Sequence, residues 1–190
     1  MKKNAIIISI VLIFLVIAII VGVILFMNKE PKTNLKPVES AEDLVSLVNE
    51  IYTGQEESLP KLDTKIIEVS DVDSVKYATG LENGNDLQYL AVSEPMMSSQ
   101  AYSFIIAKVK NGVDASNIAK TMSEKVDMRK WICVSAEKLY ATNSGDIVCL
   151  VMSSEEWAKP VYDKFKSLAG NIGEEYTKTE ELPELPEEMY

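Results

Sequence analysis

The sequence of 190 residues contains no histidine, the side chain that most often serves as a general base near neutral pH and most often binds zinc. A Ser-His-Asp triad is therefore excluded. The G-x-S-x-G motif, glycine-rich phosphate loops and the C-x-x-C redox motif are also absent. These absences favour a non-catalytic protein, and we assign no catalytic, cofactor-binding or metal-binding residues and no cofactor.

The charge balance is strongly acidic, with 29 Asp and Glu against 19 Lys and Arg and a net charge of −10. Two of the lysines, Lys2 and Lys3, precede the first apolar run. Without them the chain has 29 acidic and 17 basic residues, a net charge of −12. Such a surface repels nucleic acid and anionic lipid headgroups. We expect no nucleic-acid partner.

One long apolar run, Ala5 to Met27, has 23 residues without a charge. As a helix it would cross the ~30 Å hydrocarbon core of a bilayer. The run is too long for a signal peptide, and Phe26, Met27 and Asn28 stand where a small-residue cleavage site would be. No cysteine follows at once, so a lipoprotein is not expected. Residues 1–27 are predicted to be an N-terminal, single-pass anchor in the cell membrane, with the transmembrane helix at residues 5–27.

The orientation of this anchor does not follow from its flanks alone. Lys29, Lys32 and Lys36 on the far side outnumber Lys2 and Lys3, so the positive-inside count does not decide. We favour an N-terminus inside and an extracytoplasmic C-terminal domain, because a Lys-Lys pair before the run is typical of signal anchors and the bulk of the chain is acidic. A cytoplasmic domain on a reversed anchor is the alternative.

Composition divides the remainder into three segments. Residues 28–39 contain Pro31 and Pro37 and are predicted to be an extended stalk. Residues 40–170 have the length and apolar content of one domain. Residues 171–190 contain seven glutamates and one lysine, too little apolar surface to offset ordering, so we predict a disordered acidic tail.

Capping residues mark three helices. Ser40 and Asp43 form a capping box before a short helix that ends near Gly54. Asp114 is placed to cap a second helix, with apolar residues recurring every four positions.

The third helix closes the domain. Ser153 with Glu156 is predicted to form another capping box, and the helix ends at Gly170. Pro160 would either kink this helix or move its start to Lys159.

Runs rich in β-branched and aromatic residues predict the strands. Leu87–Val92 and Ala101–Lys110 are the clearest, and the second is apolar on both faces. A hairpin is predicted around Gly145, and short strands or turns within 55–84. We predict a two-layer α/β sandwich of the α+β class, with a mainly antiparallel sheet, a long helix between its central strands and the closing helix on the same side.

Three patterns could carry chemistry. Asp71 and Asp73, followed by Glu82, Asn83, Asn85 and Asp86, offer oxygen ligands, but the spacing does not fit a calcium loop, and loop and cap roles are favoured. Ser135 and Lys138 match S-x-x-K, yet neither S-D-N nor K-T-G follows, which indicates a chance match. Glu94, beside Met96 and Met97, is a candidate carboxylate for an enzyme.

Cys133 and Cys149 could form a disulfide, since an extracytoplasmic location permits one. Closing a loop of about 15 residues would stabilise the domain by ~3 kcal/mol in the chain-entropy model. Both cysteines have apolar neighbours, so buried free thiols are the alternative that we favour.

The region from Glu42 to Gly170 resembles a known family. Its order is an apolar strand ending in Ala-Lys-Val-Lys, a helix, an aromatic at Trp131, a turn with Gly145-Asp146 before Ile-Val-Cys-Leu-Val-Met, and a closing helix. This order resembles a family of extracytoplasmic proteins of Firmicutes classed as a domain of unknown function, whose members are anchored or lipid-modified. The resemblance implies location and fold and brings no catalytic residues.

Two functions stay open. The first is a non-catalytic binding or accessory module at the cell envelope with an envelope protein as partner. The second is a histidine-independent envelope hydrolase or transferase that uses Ser and Lys or carboxylates. Neither a ligand nor an oligomeric state follows from the sequence.

Overall fold

The computed structural model describes residues 33–97 and 99–180. This part of the chain is α+β, with one six-stranded sheet and four helices. In chain order the elements are α1 (Ala41–Tyr52), β1 (Leu62–Ile66), α2 (Val72–Thr79), β2 (Leu87–Pro95), β3 (Ser103–Val109), α3 (Ala115–Lys125), β4 (Lys138–Ser144), β5 (Ile147–Ser153), α4 (Glu155–Ala169) and β6 (Tyr176–Thr179). The sheet order is β1-β2-β3-β5-β4-β6, and every neighbouring pair is antiparallel.

The predicted membrane anchor of residues 1–27, with its transmembrane helix at 5–27, lies outside the described residues. Within the described ranges, no helix is both long enough and apolar enough to cross a membrane. The α+β class and the antiparallel sheet are confirmed.

Helices cover both faces of the sheet, so the predicted two-layer arrangement is wrong. Helices α2 and α3 pack on one face, and α1 and α4 pack on the other. The long inter-strand helix and the closing helix therefore lie on opposite sides. The cause is visible in β3, where Phe104 and Ile106 enter one core while Ile105, Ala107 and Val109 enter the other. A single helical layer would leave one of these apolar faces in water.

The caps of α1 and α3 are confirmed. Ser40 accepts from the backbone N–H of Asp43, and the Asp43 carboxylate accepts in return from the Ser40 N–H, as a capping box requires. Asp114 caps α3 by accepting from two backbone N–H groups of its first turn.

The segment around Val75 to Ala78 is a helix, α2, and not the predicted strand or turn. Asp71 caps it, accepting from the Ser74 N–H at 3.1 Å. The helix ends at Gly80 with φ +74°, where a side chain would meet the backbone of Lys125 at 2.5 Å. This close approach brings the end of α2 against the end of α3.

The closing helix starts later than its predicted capping box. Ser153 is the last residue of β5, and its hydroxyl donates to the Ala101 carbonyl at 2.7 Å. The N-cap is Ser154, which makes no side-chain cap, and the helix runs from Glu155 through Pro160. Ser153, which the local pattern assigns to the helix, therefore belongs to the strand instead.

Both flanks of the domain are more ordered than composition suggests. The described part of the predicted stalk, from residue 33 on, lies against the domain, with Val38 buried and Leu35 packed on the α1–α4 core. Residues 171–180 contain β6, which contradicts the predicted disorder for that stretch. Pairing with β4 satisfies backbone groups that the edge of the sheet would otherwise expose. Residues 181–190 lie outside the described residues.

Candidate binding groove

A groove of about 490 Å³ lies between β1, β2 and α2. Its floor carries Asp63 and Lys65 of β1 and Glu94 at the end of β2, and its wall carries Asp73 and Tyr77 of α2. We call it the β1–α2 groove. The residues that line it come from this one helix, from β1 and β2 and from their flanking residues. The groove is therefore walled by a helix on one side and borders the edge of the sheet on the other.

Two of the large apolar side chains that the described residues leave exposed line this groove, and three more lie on the segments that form it. Of the six large ones, Val72 and Tyr77 are on α2 and Met96 and Met97 follow β2, whereas Ile66 is on β1 with its side chain on the α1–α4 face of the sheet. Tyr77 and Met96 line the groove itself, and Met96 is 75% exposed. The sixth, Ile132, is on the loop after α3. Clustered exposed apolar groups are typical of a surface that binds another molecule.

The charges of the groove are mainly negative. Asp63 pairs with Lys65 at 3.3 Å on the exposed strand. Asp73 makes no ion pair with another described residue, since none of the ion pairs found there includes it. Glu94 is paired, but with a lysine that comes from outside the groove.

That lysine is Lys130, on the loop between α3 and β4, and its buried ammonium is the centre of a polar cluster. Its Nζ lies 2.6 Å from Glu94 Oε1 and donates to Ser103 Oγ at 3.2 Å, while Ser103 Oγ donates to the same Glu94 oxygen at 3.0 Å. The ammonium sits 4.8 Å from the centre of the Tyr77 ring and 5.4 Å from that of Trp131. We call these five residues the Lys130 cluster.

Burial dominates the electrostatics of the Lys130 cluster. The Lys130 side chain is 2% exposed, and this desolvation lowers the pKa of its ammonium although the Glu94 charge acts in the opposite direction. Burial also raises the pKa of the Tyr77 hydroxyl, with a smaller contribution from Glu94. The cluster ties the floor of the groove at Glu94 to its wall at Tyr77 through one ammonium group.

A lysine of lowered pKa beside a serine hydroxyl is the minimum of a Ser-Lys nucleophile pair. Here, however, Ser103 is fully buried, and its proton is already donated to Glu94. A nucleophile needs a free path to its substrate and a base that accepts its proton. As arranged, the Lys130 ammonium, the Ser103 hydroxyl and the Glu94 carboxylate bind one another, and none of them is free to attack a substrate.

Among the residues singled out from the sequence, Asp73, Glu94 and Met96 line the groove. Ser135 is in the loop before β4 and Lys138 is the first residue of that strand, so no helix holds them together. Lys138 Nζ instead donates to Thr179 at 2.9 Å and lies 3.6 Å from Glu155.

The oxygen-rich segment around α2 is engaged in local structure. Asp71 caps the helix, Glu82 pairs with Lys76 at 2.9 Å, and Asn83 accepts from the Asn85 N–H. Nowhere in the described ranges do three or more His, Cys, Asp or Glu side chains come together as a metal site.

The two cysteines are free and lie in different surroundings. Cys133 is exposed in the loop after α3, and Cys149 is buried in β5. The Cys149 side chain belongs to the α1–α4 core, whereas the neighbours of Cys133 in its loop, Met128 and Ala136, belong to the α2–α3 core. The disulfide considered from the sequence would have to reach across the sheet.

Sequence reasoning missed Lys130, Ser103 and Tyr77. The strand register brings Ser103 beside Glu94, because β2 and β3 pair Ser93 with Phe104. A polar residue at the start of an otherwise apolar strand was the available signal for Ser103. Lys130 arrives on a loop without periodic pattern, so nothing local marks it.

Comparison with known proteins adds no relative, because no protein-family model, no curated protein and no solved structure matches the chain. The groove is therefore interpreted from its own residues.

Proposed function

We propose that the chain is a single-pass, membrane-anchored protein of the cell envelope and that its domain is an extracytoplasmic, non-catalytic binding module. The β1–α2 groove is where it binds its partner. The observation that carries this proposal is that four of the six large exposed apolar side chains among the described residues lie on α2 or directly after β2, and that two of them, Tyr77 and Met96, line the groove itself.

The arrangement of polar groups supports binding over catalysis. Glu94, the carboxylate at the floor, is already paired with Lys130, and the Ser103 hydroxyl beside it is buried. Tyr77 and Met96 remain accessible and offer an aromatic ring and a flexible thioether, which suit a protein partner.

The groove is tested by photo-crosslinking on living cells. A benzophenone amino acid at position 96 is expected to give a discrete adduct with another protein. The same residue at position 132 is the matched control, because Ile132 is also 75% exposed but does not line the groove. Equal adducts at both positions, or none at 96, would contradict the proposal.

The location is tested separately with a tag after Tyr190. Protease added to intact cells is expected to remove the tag. Protection until the cells are lysed would place the domain in the cytoplasm, on the reversed anchor.

The alternative is a histidine-independent hydrolase or transferase, which the 3.2 Å contact between Lys130 Nζ and Ser103 Oγ favours. A fluorophosphonate probe distinguishes the two functions, since it labels an activated serine hydroxyl covalently. We expect no labelling of the purified chain. Labelling that disappears in Ser103→Ala would establish the enzyme and overturn the binding module.

A further inference from the structure

Among the described residues, strand β1 lies at the edge of the sheet and pairs only with β2. The Ile67 N–H donates to Leu90 and the Met96 N–H donates to the Lys61 carbonyl, so residues 61 and 67 are in hydrogen-bonded pairs with β2. Antiparallel ladders alternate, and residues 63 and 65 therefore bond to β2 as well. The backbone groups of Leu62, Thr64 and Ile66 point away from the sheet.

This free edge is complementary to a copy of itself. If two β1 strands run antiparallel with Thr64 opposite Thr64, Asp63 of each copy faces Lys65 of the other, and Leu62 faces Ile66. Every cross-strand pair is then favourable: an opposite charge, an apolar contact or a Thr–Thr pair. The same register sets Leu62, Thr64 and Ile66, whose backbone groups are free, as the hydrogen-bonded positions, for about six new bonds.

We propose that two copies of this chain associate through their β1 edges, as a two-fold symmetric dimer whose sheets become continuous. The interface is isologous, with the same residues contributed by each copy. The two-fold axis runs perpendicular to the joined sheet. It therefore places residue 33 of both copies on the same side, where Leu35 and Val38 pack on the α1–α4 face.

Dimerisation would also complete the β1–α2 groove, a consequence that rests on the proposed function. In one copy, as far as the described part of the chain shows, the groove has one helical wall, α2, and borders the unpaired edge of β1. In the dimer, β2 and β1 of both copies form one floor between two α2 helices. The carboxylates of Asp73 and the rings of Tyr77 then face each other across a single cleft.

The opposite edge of the sheet lacks this complementarity. Strand β6, Tyr176–Thr179, carries one charged side chain, Lys178, so a copy of β6 offers it no opposite charge. A cysteine on β6 therefore serves as a matched control, because it reports crosslinks that form by random contact between sheet edges.

Register-specific crosslinking tests the dimer with the full chain in vesicles of neutral phosphatidylcholine. Cys133 is exposed and is first replaced by serine, whereas buried Cys149 stays. Thr64→Cys is expected to crosslink to itself under mild oxidation, because opposed Cα atoms in a hydrogen-bonded pair lie ~5.5 Å apart. Leu62→Cys and Lys178→Cys are not expected to crosslink, since two Leu62 positions would be separated by ~14 Å.

A charge exchange supplies the independent test. Asp63→Lys and Lys65→Asp each place like charges opposite one another, and each is expected to reduce the crosslinking yield of Thr64→Cys by about tenfold. The double variant, D63K/K65D, restores opposite pairs and is expected to recover the yield. Both side chains are exposed, so the substitutions leave the core untouched.

Equal yields from the three cysteine positions, or no crosslink at Thr64→Cys, would overturn the dimer. If D63K/K65D does not recover the crosslinking yield of Thr64→Cys, the proposed register is wrong. Neither result alters the benzophenone adduct with another protein, whose mass differs from that of two copies. The dimer and the groove can therefore fail separately.

Discussion

The same chemical groups meet at two places in this domain, and their surroundings differ. In the Lys130 cluster a lysine contacts a glutamate, a hydroxyl and an aromatic ring in the α2–α3 layer. On the other face, Lys166 lies 3.0 Å from Glu175 and 4.9 Å from the centre of the Tyr162 ring, and the Tyr162 hydroxyl donates to Glu175 at 2.9 Å. We call these three residues the Lys166 cluster.

Burial separates the two clusters. The Lys130 side chain is 2% exposed and that of Lys166 is 30% exposed. Desolvation lowers the pKa of Lys130, whereas the hydrogen bond to Glu175 raises the pKa of Lys166. An ion pair at the surface costs little to form and contributes little, but a buried ammonium depends on its partner. The Lys130 cluster is thus the one whose buried charge holds the floor and the wall of the β1–α2 groove together.

The largest expected difference comes from neutralising each glutamate. Glu94→Gln leaves the Lys130 ammonium buried without its counter-charge and is expected to lower the free energy of unfolding by ~3 kcal/mol. Glu175→Gln, the matched change in the Lys166 cluster, is expected to cost less than ~1 kcal/mol. Urea unfolding of both variants measures the difference.

A second substitution tests whether the unpaired charge is the cause. Adding Lys130→Met to Glu94→Gln removes the stranded ammonium and is expected to recover more than half of the loss. If the double variant is less stable than Glu94→Gln, packing of the lysine stem and not its charge explains the effect.

The two lysines are also expected to respond to alkali in opposite directions. The pKa of Lys130 in the folded chain lies below its ordinary value of 10.5. Between those two values the unfolded chain binds more protons than the folded one, so the contribution of Lys130 to stability rises with pH. The pKa of Lys166 in the folded chain lies above 10.5, so its contribution is complete below 10.5 and is lost as the pH rises through the folded value.

The measurement is the unfolding free energy of wild type minus that of Lys130→Met, followed from about pH 8 to about pH 10.5. We expect this difference to increase with pH, and the corresponding difference for Lys166→Met to stay level in the same window. Subtraction removes the titration of the tyrosines, which all variants share. A decrease for Lys130→Met would show that Glu94 outweighs desolvation.

Much of the fold could be predicted because its signals are local. The capping box at Ser40, the cap at Asp114 and the apolar strand around Phe104 each depend on a few adjacent residues. The predictions that failed are those that depend on contacts between segments distant in sequence. Strand β6 is stabilised by its ladder with β4 and by the ion pair between Glu180 and Arg129, neither of which composition reveals.

The candidate site was less predictable, since it is assembled from distant segments. Glu94 was recognised as a carboxylate near exposed methionines, but its partner Lys130 lies on a loop and reaches it only in the folded chain. The second helical layer was implied by the two apolar faces of β3, although which helix covers which face depends on chain crossings that no local pattern encodes.

The smallest expected effect is the salt dependence of the unfolding free energy, which should differ between the two clusters. Lys166→Met should lower the unfolding free energy by ~0.5 kcal/mol in dilute buffer, because its pair with Glu175 is exposed. Near 1 M NaCl the screening length falls to about 3 Å, and this cost should vanish. The cost of Glu94→Gln should persist at the same salt concentration, since the Lys130 side chain is only 2% exposed and buried charges are screened much less. Equal salt sensitivity in the two variants would mean that Lys130 is solvated, and that its ammonium does not hold Glu94 at the floor of the groove to Tyr77 at its wall.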